Sequence, residues 1–258
     1  MATLISTPVN RRASPERAIS VLRACLLLAV CYFATGCIGR SLAVPPGYAT
    51  IIWPASGVAL CALLAFGRKL WPGILLGSFS FNAVTGLDSS AALNEILATT
   101  AVAGTIGLGA SAQAIVGLRQ ARRFADGIEL ANGPRLLRAF VTVIAVPAMI
   151  APTVGVATLF TAGIIPGGLG WSNWLTWYFG DLLGIMLVMP ILLLSKWSPV
   201  AVSWRGKLLH GFSALVAVSL LTTLMLTLYA WQFVSERQFS QAETNFETVA
   251  DNTEEALR

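Results

Sequence analysis

Long apolar blocks, broken by short polar or glycine-rich joints, run through most of the chain. Seven of them are near the length that spans a bilayer as a helix, about 20 residues. They cover residues 19–38, 49–66, 70–87, 92–117, 139–161, 173–195 and 208–233. They do not alternate polar and apolar positions, as strands of a membrane barrel would. Within hydrocarbon every backbone N–H and C=O must be satisfied inside the segment, so the blocks are predicted to be helices. The second and third are joined only by Gly67-Arg68-Lys69 and should form a tight antiparallel hairpin.

The polar tail has a different period. From Ser235 to Arg258 the chain is polar, its charged residues mostly acidic, and free of Gly and Pro, while Phe239, Ala242, Phe246 and Val249 recur in steps of three and four. That spacing predicts one apolar helical face, so the seventh span should continue as an amphipathic helix outside the membrane. It is either a short helix lying on the protein or the opening of a larger extracytoplasmic domain. Phe239 and Phe246 favour the second, since they would otherwise face water. The expected organisation is a tail (1–18), an integral membrane domain (19–233) and an external helix (234–258).

Composition agrees with the pattern. Of 258 residues, 56% are hydrophobic and 11% charged, and mean hydropathy is +0.74. An ordinary soluble domain carries roughly 25% charged residues. The fold class is thus all-α, a polytopic transmembrane helical bundle. Its net charge of +5 is distributed by side. Counting loops alternately puts 14 of the 17 Lys and Arg residues on the side of the N-terminus, among them Arg11, Arg12, Arg68, Lys69 and the run from Arg119 to Arg138. Arg40, Arg237 and Arg258 fall on the other. The basic side is cytoplasmic, which predicts an N-in, C-out chain. No loop pairs a basic face with interleaved aromatics, so no nucleic-acid partner is expected; the bilayer itself is the partner. Arg11 to Arg17 followed by Ala34-Thr35-Gly36-Cys37 imitates a lipoprotein signal, but the segment is read as a retained helix.

Catalytic chemistry finds no foothold. Cys25, Cys31, Cys37 and Cys61 have no metal-ligand spacing, His210 is alone, and no nucleotide, hydrolase or zinc signature occurs. No cofactor and no metal are expected. Polar groups within the apolar blocks are more informative, because they are costly there. Asp181 lies well inside the sixth block, Glu95 at the start of the fourth, Asn82 near the end of the third, and Trp53 and Ser56 in the second. Trp177 follows Asn173 and Trp174 in the sixth. All fall in the outer half of the predicted bundle, with Gln113 the main inner exception, and they suggest a pocket open to the outside. The plainer alternatives are an interfacial aromatic belt for Trp171, Trp174 and Trp177, a water-exposed Glu95, and an Asp181 that merely bonds a neighbouring helix. Pro54, Pro72 and Pro190 are expected to break or kink helices. The glycines and alanines of the fourth block, and Gly73 and Gly77 in the third, allow close packing within the chain or between two copies.

Two blocks of residues resemble a known family. Ile52-Trp53-Pro54-Ala55-Ser56-Gly57-Val58-Ala59-Leu60 is followed by Gly67-Arg68-Lys69-Leu70-Trp71-Pro72-Gly73, Gly77 and Asn82. Later come Trp177-Tyr178-Phe179-Gly180-Asp181-Leu182-Leu183-Gly184 and Pro190-Ile191-Leu192-Leu193. In order and spacing they are similar to the first class of membrane-associated sensor (MASE) domains, over roughly 19–233. The tail more distantly resembles the start of a CHASE-type extracytoplasmic segment. The resemblance implies a sensory input module in a bacterial inner membrane, attached in such proteins to histidine kinases or diguanylate cyclases, with no enzymatic activity in these residues. It also implies a homodimer and an unidentified small-molecule or protein signal. On that view Asp181 and Asn82 recognise the signal, Trp53 and Trp177 form walls, and the proline breaks move. The competing reading is a small permease or the binding subunit of a transporter, since broken helices and buried polar groups also serve transport; against it, no inverted repeat is evident.

Overall fold

A computed structural model describes residues 15–41, 50, 52–87, 90–124, 128–129, 133–193, 202–204 and 207–208. The described chain is an all-α bundle: α1 (Pro15–Ser41), α2 (Pro54–Phe66), α3 (Trp71–Gly86), α4 (Leu93–Ala121), α5 (Gly133–Ala139), α6 (Ile150–Thr161) and α7 (Gly170–Leu193). Three strands of two or three residues, β1 (Ile128–Glu129), β2 (Val202–Trp204) and β3 (Lys207–Leu208), make a small ribbon, with β1 parallel and β3 antiparallel to β2. Leu208, the first residue of the expected seventh span, ends β3; the rest of that span, the external helix and His210 lie outside the described residues.

Four helical stretches are long and apolar enough to cross a membrane: 19–41, 93–121, 133–161 and 170–191. Their outward faces are apolar, as at Leu22, Leu26 and Val30 on α1 and Leu97 and Leu108 on α4. Water gives no reason to expose such rows; lipid does. The segments expected as the second and third spans are shorter helices. At about 1.5 Å per residue, the 13 residues of α2 and the 16 of α3 reach roughly 20 and 24 Å.

The reason is local and corrects two expectations. Pro54 and Pro72 do not kink helices; each occupies the first turn of one, where a missing N–H leaves nothing unsatisfied and the fixed φ suits the helix. The joint between α2 and α3 is as short as predicted, but the tight hairpin does not form: the two helices diverge from the joint, and α1 packs against both. Gly67 ends α2 at φ +92°, a backbone region that costs a side chain and not a glycine, and its N–H bonds the Leu63 carbonyl at 2.9 Å. A single turn over Arg68–Leu70 then leads into α3.

Sequence reading missed the break within 133–161. Phe140–Ala145 is wound as a π-helix and Pro147–Met149 as a 3-10 turn. Val146 N–H bonds the Val141 carbonyl, five residues back, at 2.9 Å. Pro147 has no N–H to continue the α-ladder, whereas Pro152 lies in the first turn of α6, where a proline is tolerated. Pro190 is the one expected proline that stands inside a helix, α7.

Packing is intrachain where small residues invited it. A Cβ on Gly73 would meet the Cys25 backbone and one on Gly77 the Ala29 carbonyl, so these glycines seat α3 on α1. One core joins Cys25, Leu28, Tyr32, Ala59, Leu63, Ile74, Ala114 and Leu118 from α1 to α4. A second joins Leu60 and Cys61 to Val143, Ala148, Ile185 and Met189.

Candidate functional site

The beginning of α2 is laid across the middle of α7. A Cβ on Gly184 would collide with the Trp53 carbonyl, and one on Gly57 with the Gly184 carbonyl. The approach lets Trp53 N–H donate to the Gly180 carbonyl at 2.9 Å, one turn before Gly184. Ser56, in the first turn of α2, reaches the same place: its hydroxyl lies 2.8 Å from the Trp53 carbonyl and 3.1 Å from the backbone carbonyl of Asp181.

Asp181 is 1% exposed. A carboxyl that deep in an apolar bundle needs polar partners. Gln113, in α4 and itself buried, supplies one: its Nε2 donates to Asp181 Oδ2 at 3.2 Å, while its Oε1 accepts the Ala151 N–H at 3.1 Å. Ala151 stands just after the Pro147–Met149 turn, at the start of α6, where an N–H lacks an intrahelical partner. A single amide thus ties α4, α6 and α7 together, and Ser56 adds α2.

Above this node lies a cavity of about 730 Å³, within the range of ligand pockets, roughly 300–1,000 Å³. All six residues singled out for recognition line it: Trp53, Ser56, Asn82, Glu95, Trp177 and Asp181. They come from α2, α3, α4 and α7. Asn82 is half-buried and donates from Nδ2 to the Ser78 carbonyl at 2.8 Å. Glu95 is exposed at the rim; its Oε2 accepts the Ala92 N–H at 2.9 Å and so caps α4. Arg40, in the last turn of α1, and Thr85, near the end of α3, share that rim. The ends of α1 and α3 and the beginnings of α2 and α4 therefore gather around one mouth. The helix-start residues Pro54 and Pro72 and the α7 residue Pro190 do not line it.

Three further lining residues lay outside the expected site. Gln113 was assigned to the inner half, yet it touches Asp181. Tyr32 is buried, with its hydroxyl oxygen 3.4 Å from the Trp53 indole N–H. Ser78 is buried beside it on α3. Their signal was weak, since Tyr and Ser are ordinary in membrane helices. The tryptophans of α7 divide by helical face. Trp171, Trp174 and Tyr178 stack in a row with ring centroids 5.3 Å apart, and Trp174 Nε1 donates to Thr153 Oγ1 at 3.0 Å. Trp177 points elsewhere: it walls the cavity and fills the space over Gly155.

Among the described residues no three His, Cys, Asp or Glu side chains come close enough to hold a metal ion, and the four cysteines are unpaired thiols. The arrangement provides a carboxyl, an amide and hydroxyls along an aromatic cavity. Such a space can hold a small molecule.

Comparison with known proteins is consistent with that character. The family model MASE1, membrane-associated sensor domain 1, matches residues 22–240. Neither a curated protein nor a solved structure matches the chain.

Proposed function

The chain belongs to the MASE1 family of membrane sensor domains, the input domains of signalling proteins, and from that premise we propose that its cavity is where the signal binds. The observation that carries this reading is the Asp181–Gln113–Ser56 node at the floor of a ligand-sized cavity. Polar groups at that depth are expensive, and here they border a space that can hold a molecule.

On this reading the module sits in a bacterial inner membrane as a multi-pass protein with its mouth on the extracytoplasmic side. Trp53 and Trp177 form walls, while Asn82 and Asp181 supply polar contacts. Because α2 and α7 both wall the cavity and meet at Gly57 and Gly184, a bound molecule that fits one spacing of these helices better than another shifts their packing. A ligand moves such an equilibrium only by its difference in affinity for the two arrangements. The shift passes along α7, with Pro190 as its flexible point, to the chain beyond and to an output of the histidine kinase or diguanylate cyclase type. The working unit is a homodimer, paired through the helix expected at 234–258.

The test is output. In a full-length signalling protein carrying this module, Asp181→Asn and Trp177→Ala should each change kinase or cyclase activity severalfold, whereas Phe66→Ala, at the exposed far end of α2, should not. Unchanged output in the Asp181 variant would sink the role given to the cavity floor. The permease alternative is separated by flux: a sensor binds its molecule without moving it across liposomes.

A further inference from the structure

We propose that the cavity recognises a slender organic cation, an ammonium-bearing molecule whose positive group sits at Asp181 and whose carbon skeleton lies along the aromatic wall. This rests on the reading of the cavity as a ligand site and adds which chemistry it takes.

Charge gives the first argument. Among the described residues, four lining groups are ionisable: Arg40, Glu95, Tyr32 and Asp181. Arg40 and Glu95 are exposed, opposite in sign and confined to the rim. Below them the one described lining group able to carry a formal charge near neutral pH is the carboxyl of Asp181. An anionic ligand group placed at that depth would meet a carboxyl and, among the described residues, no lining cation. A cationic group would meet its complement, in surroundings where charge pairing is worth far more than in water.

Hydrogen-bonding capacity gives the second. A carboxylate has about four acceptor positions. Gln113 donates to Oδ2, and that amide's own carbonyl is occupied by Ala151. Among the described residues, every side-chain N or O sealed from solvent has a partner, and Asp181 borders the cavity. The Ser56 hydroxyl also reaches this carboxyl, and the acceptor positions these two leave can be met from the cavity side by an ammonium, which brings up to three donors.

The walls give the third. Tyr32, Trp53, Phe81 and Trp177 all line the space. Aromatic faces attract cations, tryptophan most strongly, and they do so without the acceptors that would favour a neutral polyol.

Shape sets the size. Lining residues recur along α4 from Glu95 to Gln113, a rise of about 27 Å at 1.5 Å per residue. The space is therefore longer than it is wide, which suits an extended molecule.

The experiment uses the chain in nanodiscs, with empty nanodiscs as the partition control, and three molecules of one shape: 2-phenylethylamine, 2-phenylethanol and phenylacetate. Calorimetric Kd values are expected to favour the amine at least tenfold over the other two. Asp181→Asn should bring the amine down to the level of the alcohol. Because the series compares ligands on the unaltered protein, it stands even where that variant misfolds. If the alcohol or the acid binds as tightly as the amine, the cation assignment is overturned while the cavity remains a ligand site. If none of the three binds and none protects a Thr85→Cys rim thiol from maleimide, the ligand-site reading falls as well.

Discussion

Gln113 shows how one side chain can fix the relation of three helices. Both ends of its amide are engaged, Nε2 with Asp181 and Oε1 with the Ala151 N–H, and Gln113 is 5% exposed. Gln113→Ala leaves two buried groups unpaired, each costing about 1–3 kcal/mol. We expect it to lower unfolding free energy in detergent micelles by about 3 kcal/mol. Ser56→Ala should cost less, about 1 kcal/mol, because the Trp53 and Asp181 carbonyls it serves are backbone groups with a second lone pair. The reverse order in denaturant titrations would refute this account of the node. The sequence singled out both Asp181 and Gln113 as costly residues but assigned them to opposite halves of the bundle. Depth was counted from span ends that are uncertain by several residues, and each residue of error moves a side chain about 1.5 Å. Their 3.2 Å contact places them at one level.

At the scale of helices, hydropathy was a good guide to what forms and a poor one to how it is interrupted. The apolar run through 139–161 reads as one span, yet around Pro147 it divides into π, 3-10 and α segments. Pro147 does not change hydropathy enough to be noticed, because its effect lies in a missing N–H. Pro54 and Pro72 carry the same chemistry and were expected to break helices; their position in first turns makes them starts instead. Glycines divide in a similar way. Gly184 sits where a Cβ would strike the Trp53 carbonyl, whereas a Cβ on Gly104 meets nothing within 4 Å. Gly184→Ala should therefore push α2 off α7, destabilising by about 1–3 kcal/mol as overpacking does. Gly104→Ala should be neutral or stabilising by up to about 1 kcal/mol, the ordinary helix preference for alanine. Equal melting temperatures for the two variants would show that the α2–α7 crossing is not held at backbone contact.

For the molecule as a whole, the gathering of Trp53, Ser56, Asn82, Glu95, Trp177 and Asp181 around one cavity was legible because antiparallel helices return to the same end. A residue late in α3, early in α2 or early in α4 must then lie near the same mouth. What that logic leaves open is which side of the membrane the mouth faces, and here the charge distribution makes the claim. Lys69 and Arg122 are exposed at the opposite end of their helices from Thr85 and Glu95. The excess of Lys and Arg at that end assigns it to the cytoplasm, so the mouth should open outward. After Cys25, Cys31, Cys37 and Cys61 are replaced by alanine, single cysteines at Thr85, Lys69 and Arg122 can be offered a membrane-impermeant maleimide. In intact cells Thr85→Cys should label, while Lys69→Cys and Arg122→Cys should label only after the membrane is opened. The inverse pattern would turn the cavity toward the cytoplasm and make its signal an internal one. Labelling of all three from outside would mean that these helices do not cross the membrane as an alternating bundle.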